Sequence, residues 1–467
     1  MQYVSTRGDA PRLGFCDAVL AGLARDGGLY LPESWPQISA DQIAGMANRP
    51  FADIAFEVIS PFVDGEIDDD TLRGMLNAAY GTFRHDAVAP LVQLEPGHFV
   101  LELFHGPTLA FKDVAMQFLA RVMDHILGQR NQRATIVGAT SGDTGSAAIE
   151  AFRGRDNTDI FILHPKGMVS PVQQRQMTTV LDDNVFNIAL EGNFDDCQTI
   201  VKDMFNNHHF RDSVLLSGVN SINWGRIVAQ VVYYFTAAAA LGAPHRQISF
   251  TVPTGNFGDI FAGYVAKRMG LPIKSLIIAT NENDILRRTL DEGRYEMDGV
   301  AATTSPSMDI QISSNFERLL FEAAGRDAEL VKRQMAQLKQ SGGFELTATE
   351  INAIRAEFVA GTANQGRTEQ VQAATLENCG YLLDPHTAVA VAVAQENLNT
   401  STPMVSLSTA HPAKFPAAVK AATKIDPVLP DWLSDLYERE ERYDVIANSQ
   451  TEVENFIKTR CRANKES

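Results

Sequence analysis

The chain has 467 residues, 45% of them hydrophobic, which is enough for two or three domains with cores of their own. Its formal net charge of -17, with no long basic run, argues against nucleic acid or an anionic membrane as a partner, because both need clustered Lys and Arg. Cys16, Cys197, Cys379 and Cys461 lie far apart and form no C-x-x-C pair, so neither a disulfide framework nor a metal site of zinc type is expected.

In chain order, Met1 to Arg7 lacks the apolar core of a signal peptide. The apolar run near Val231 to Leu241 is too short to span a bilayer, so a cytoplasmic protein is expected. Residues 1–85 alternate helical patterns with turns and read as a first, mainly helical domain. Phe15 to Leu23 is expected as an amphipathic helix closed by Asp26-Gly27-Gly28. Asp68-Asp69-Asp70 lacks the central glycine and terminal Glu of a calcium loop and reads as a helix cap. From about residue 98 the rhythm changes to short apolar runs, each followed by a helical pattern. Strands are expected at 134–137, 160–163, 185–190, 248–252, 273–279 and 404–408. Helices are expected from Ser146, from Ile227 and over Ile260 to Arg268. This alternation predicts an α/β fold of open, mostly parallel sheets covered on both faces, with ligands at the carboxyl ends of the strands. Residues 86–467 form this second region, with a charged helical insertion around 315–360. Tyr437 to Tyr443 reads as a solvated helix with i,i+4 charge pairs.

Several loops carry residues suited to chemistry. Lys112 follows His105-Gly106-Pro107-Thr108 and opens a helical pattern. Apolar burial and a helix start both disfavour an ammonium, and an amine so tuned attacks aldehydes. The alternative is a surface lysine paired with Asp113. Gly138 to Gly145 is dense in Gly, Ser and Thr between a strand and a helix, an arrangement that suits a carboxylate. Pro253 to Asp259 is a second such loop, without the Lys and Ser/Thr of a Walker motif, and suits a monophosphate. Thr409 ends the last strong strand. His411 is either a base or a hydrogen-bond partner at a tight turn. Arg226, after Ser221-Ile222-Asn223, suits a phosphate, a carboxylate or a structural ion pair.

Taken together and in order, these motifs resemble the threonine synthases of the longer bacterial and fungal type. These belong to fold-type II of the enzymes that use pyridoxal 5'-phosphate (PLP), the fold type of tryptophan synthase β. Ser5-Thr6-Arg7-Gly8 and Asp26-Gly27-Gly28-Leu29-Tyr30 are similar to that family's N-terminal domain. Phe111-Lys112-Asp113, Ser141 to Gly145, Gly255 to Asp259 and Ser408 to Lys414 complete the set. The resemblance implies that Lys112 holds PLP as a Schiff base and that Gly255, Asn256, Phe257, Gly258 and Asp259 hold its phosphate. It implies that Thr409 faces the pyridine nitrogen. It also implies that Thr140, Ser141 and Thr144 bind the substrate carboxylate, and Ser221, Asn223 and Arg226 the substrate phosphate. Asp143 stands where the wider fold type carries Asn beside the cofactor's 3-oxygen. Two anions there would repel unless one is protonated or another donor intervenes. The implied reaction turns O-phospho-L-homoserine and water into L-threonine and phosphate in a monomer, a dimer being the alternative. A phospho-lyase releasing a 2-oxo acid, and a non-catalytic PLP-binding protein, are the rivals.

Overall fold

The computed structural model describes residues 1–463. Two sheets organise the chain. In the larger, six strands lie in the order Phe358–Thr362, Ile273–Thr280, Ile248–Pro253, Met404–Ser408, His98–Glu102 and Leu91–Glu95. All neighbours are parallel except the last two, which form a hairpin. The smaller has five parallel strands in the order Asp444–Ala447, Val185–Glu191, Thr158–Pro165, Ala134–Ala139 and Leu216–Ser217. Thr158–Pro165 is buried along its whole length, as a strand covered by helices on both faces must be. The expected α/β architecture and its six strands are all present. Among the described residues no helix is long and apolar enough to cross a membrane.

Helix Trp224–Ala240 sits at the centre and is buried almost throughout. It packs against the helices Lys112–Gln129, Gly258–Arg268 and Phe51–Val63. Trp224 is ringed by Tyr3, Trp35 and Phe62 at centroid distances of 5.9, 6.2 and 5.6 Å, so the N-terminal region shares one apolar core with the sheets. Arg318 adds a polar tie: fully buried, it donates to the carbonyls of Tyr30 and Ile222 and to Asn315 Oδ1. As expected, Asp68 caps a helix, its carboxylate accepting from Thr71 N.

Three expectations need correction. The region 315–360 is helical over Phe316–Ala323, Ala328–Ser341 and Ala348–Glu357, yet its end delivers the edge strand Phe358–Thr362 to the main sheet. Tyr437 to Tyr443 is not a helix. Its polar groups are used across the fold: Glu441 pairs with Arg175 and accepts from Thr178, and the carbonyls of Leu436 and Arg439 accept from Arg175. These tertiary contacts outcompete the weak i,i+4 pairs and lead the chain into Asp444–Ala447. Finally, the helices expected from Ser146, Ile227 and Ile260 begin two or three residues earlier, at Asp143, Trp224 and Gly258.

Candidate functional site

Lys112 is placed by pairing between two chain segments that leave neighbouring strands. Phe111 N donates to Thr409 O at 2.9 Å and His411 N donates to Leu109 O at 3.0 Å, so residues 109–111 and 409–411 run side by side. Lys112 then opens the helix Lys112–Gln129 with its side chain buried. Its Nζ donates to Asp143 Oδ2 at 3.3 Å and to Ser307 Oγ at 3.4 Å. Burial pushes the amine below the usual lysine range; Asp143 opposes that shift, while Lys414 and Arg226 reinforce it. The alternative pairing with Asp113 is absent. Asp113 instead accepts from Thr108 N and Oγ1 at 2.8 and 2.7 Å, and burial pushes its carboxyl up to about 6.

Asp143 starts the helix Asp143–Phe152. Its Oδ1 accepts from Gln173 Nε2 at 2.8 Å and lies 3.0 Å from Lys414 Nζ in an ion pair. Burial alone would raise this carboxyl, but Lys112, Lys414, His386 and Gln173 outweigh it and hold the group ionised, well below the usual carboxylate range. The loop before it is shaped by Thr140, whose hydroxyl accepts from Gly142 N and Gly145 N, both at 2.9 Å. Gly142 has a φ of +144°, and a Cβ there would lie 2.4 Å from Gln173 Cδ, so only glycine fits. Ser141 is exposed and Thr144 half-buried beside this turn.

In the loop 254–258, a Cβ on Gly255 would lie 2.4 Å from Ser307 O, so two backbones approach closely here. Phe257, with a φ of +64°, sends its ring into the core against Phe316 and Phe358. No side chain caps the helix Gly258–Arg268, and its first amides remain available to an anion. Asn256 is exposed, with Oδ1 near Ser314 Oγ. Asp259 points away from the loop. Its Oδ1 accepts from Tyr233 and Tyr234 at 2.5 and 3.0 Å, and burial pushes the carboxyl up to about 6. Only its backbone belongs to the loop.

The expected phosphate ligands divide in the same way. Asn223 spends its side chain on structure, accepting from Gly225 N and donating to Val19 O. Ser221 is half-buried, and its carbonyl accepts from Asn315 Nδ2. Arg226 is different. It is 3% exposed, Nη1 donates to Val219 O at 3.2 Å, and Nε has no partner. It faces no carboxylate, and burial pushes the guanidinium down to about 10. A buried cation left unpaired is expensive unless an anion joins it.

Sequence reasoning missed Ser307, Asp384, His386 and Gln173, and quoted Lys414 without giving it a role. Ser307 is held by His386, whose Nε2 accepts from Ser307 N at 3.3 Å while its Nδ1 lies 2.9 Å from Asp384 Oδ1. The one local signal is Asp384-Pro385, an N-cap followed by proline at the first helical position. His411 resolves to the structural alternative: Nδ1 accepts from Ala413 N, and burial pushes the ring down to about 4.

A buried lysine between two mostly parallel sheets, an uncapped helix start beyond a glycine cradle and an unpaired guanidinium fit the aldehyde and the anionic groups of PLP chemistry. They define a PLP-dependent enzyme of fold type II. Residues 83–338 match the family "Pyridoxal-phosphate dependent enzyme", residues 2–80 match "Threonine synthase N terminus" and residues 387–457 match "Threonine synthase, C-terminal". The chain is 53% identical over 459 residues to a threonine synthase of Pseudomonas aeruginosa, covering 98% of both chains. It superposes with a TM-score of 0.97 on the crystal structure of PLP-bound threonine synthase from Brucella melitensis, at 64% identity and covering 99% and 100% of the two chains. For threonine synthase from yeast the TM-score is 0.94 at 41% identity, with 98% of each chain covered. The chain belongs to the threonine synthase family, and its cofactor is PLP.

Proposed function

We propose that this site converts O-phospho-L-homoserine and water into L-threonine and phosphate, in the cytoplasm. The observation that carries the reading is the pairing of a buried amine, Lys112, with a buried guanidinium that lacks an anion, Arg226. When bound, PLP supplies an electron sink for charge developing on substrate carbon. Lys112 holds the cofactor and, once released from it, carries protons at Nζ; burial favours its neutral form and suits it to act as a base. The loop 255–259 would offer backbone amides to the cofactor's phosphate, and Thr409, whose carbonyl accepts from Phe111 N, would face the cofactor ring. Thr140, Ser141 and Thr144 take the substrate carboxylate near the start of the helix Asp143–Phe152. Arg226 takes the substrate phosphate, first binding it and then stabilising it as it leaves.

The test is product analysis after mixing PLP-loaded protein with O-phospho-L-homoserine in heavy-oxygen water. Threonine labelled in its hydroxyl, with one phosphate released per threonine, is expected. Phosphate with 2-oxobutyrate and no threonine would make the protein a phospho-lyase and overturn the reading.

A further inference from the structure

None of the roles above uses Lys414, yet its side chain is wholly buried. It closes the short turn Pro412–Lys414, and His411 holds that turn as a neutral acceptor for Ala413 N. From there Lys414 reaches the site. Nζ donates to Thr108 O at 2.6 Å and to Gln176 Oε1 at 3.1 Å, and lies 3.0 Å from Asp143 Oδ1. The ammonium thus has two hydrogen-bond acceptors and an ion-pair partner. The Asp143 carboxylate is therefore divided: Oδ1 is taken by Lys414 and Gln173, and Oδ2 faces Lys112.

The balance of charge follows from that division. Around Lys112 stand Asp143 on the helix Asp143–Phe152, Lys414 on the turn after Thr409, Arg226 on the central helix and Ser307 on the loop over Gly255. His386, on the helix Pro385–Gln395, faces Asp143, and Asp113 is turned to Thr108. One carboxylate thus meets more than one cation. Of the two lysines, Lys112 has the longer contact with Asp143, 3.3 against 3.0 Å, and Lys414 has a backbone carbonyl besides.

We propose that Lys414 is a positioning residue that occupies Asp143 and so releases the Lys112 amine from acting as that carboxylate's counter-ion. The inference rests on Lys112 being the cofactor lysine. A lysine relieved of its proton has a lone pair to form the C–N bond with an aldehyde, and its two remaining protons leave with the aldehyde oxygen as water.

The experiment mixes full-length, cofactor-free protein with PLP over a pH series and follows capture by the absorbance of the bound chromophore. The pH midpoint of the capture rate reports the Lys112 amine. Lys414→Met is expected to raise that midpoint by about one unit, which slows capture below it about tenfold. Asp143→Asn is expected to lower it, and the double variant to lie close to Asp143→Asn, because Lys414 acts through that carboxylate. A purely structural role for Lys414 would change stability or amplitude but not the midpoint. An unchanged midpoint in folded Lys414→Met, or shifts of the same sign in both single variants, would overturn the proposal. Should Lys414→Met not fold, Lys414→Gln is used with the same expected upward shift, and an unchanged midpoint there overturns the proposal. Failure of the wild-type protein to capture PLP at all would instead refute the assignment of Lys112.

Discussion

Two buried arginines separate a binding role from a structural one. Arg318 has a carbonyl or amide oxygen for each nitrogen, whereas Arg226 has one carbonyl and a bare Nε. Arg318→Met would strand the oxygens of Tyr30, Ile222 and Asn315 in the core. An unsatisfied buried acceptor costs about 1–3 kcal/mol, so a loss of ~3 kcal/mol or more in unfolding free energy is expected. Arg226→Met removes one hydrogen bond but also a buried charge without a counter-ion, so cofactor-free stability should stay within about 1 kcal/mol of wild type or rise. Its cost should appear in substrate binding. A charge-assisted hydrogen bond contributes about 1.5–3 kcal/mol, so losing two to a phosphate raises KM for O-phospho-L-homoserine by about 100-fold or more. Urea unfolding of the cofactor-free proteins and steady-state kinetics of the loaded ones measure both quantities. The reasoning fails if Arg226→Met unfolds as readily as Arg318→Met while its KM is unchanged, because Arg226 would then be a strut.

Gly255→Ala places a methyl 2.4 Å from Ser307 O, a backbone atom that cannot swing away, so PLP affinity should fall at least tenfold with little change in helix content by circular dichroism. Thr140→Val leaves the amides of Gly142 and Gly145 without their acceptor and should cost about 2 kcal/mol or more of stability, read by urea unfolding, as well as weakening substrate binding. Asp259 makes the pH prediction. Its folded carboxyl is raised to about 6 against an ordinary 3.8, so the folded state binds the extra proton and stability falls as pH rises between those values. The contribution lost is about 3 kcal/mol, and Asp259→Asn should flatten the stability profile by about that amount over that range. An unchanged profile would show that Asp259 titrates as an exposed carboxyl does.

The sequence by itself determined the repeating units of the fold. Strands such as Thr158–Pro165 and Ile273–Thr280 announce themselves through the apolar runs Ile160 to Leu163 and Leu276 to Ala279, which burial on both faces demands. The loops after the strands at 134–139, 248–253 and 404–408 were legible for a related reason, since glycine and small hydroxyl residues there serve local backbone geometry. Local patterns could not show where side chains go once the two sheets meet. Asp259 and Asn223 belong by sequence to binding loops, but a tyrosine pair claims one and a helix cap the other. The edge strand Phe358–Thr362 and the extended stretch before Asp444 owe their form to partners far along the chain. The electrostatics of Lys112 are the clearest case. Asp143, Ser307 and Lys414 lie 31, 195 and about 300 residues away in sequence. Only folding removes the water between them and lets one carboxylate choose between two amines.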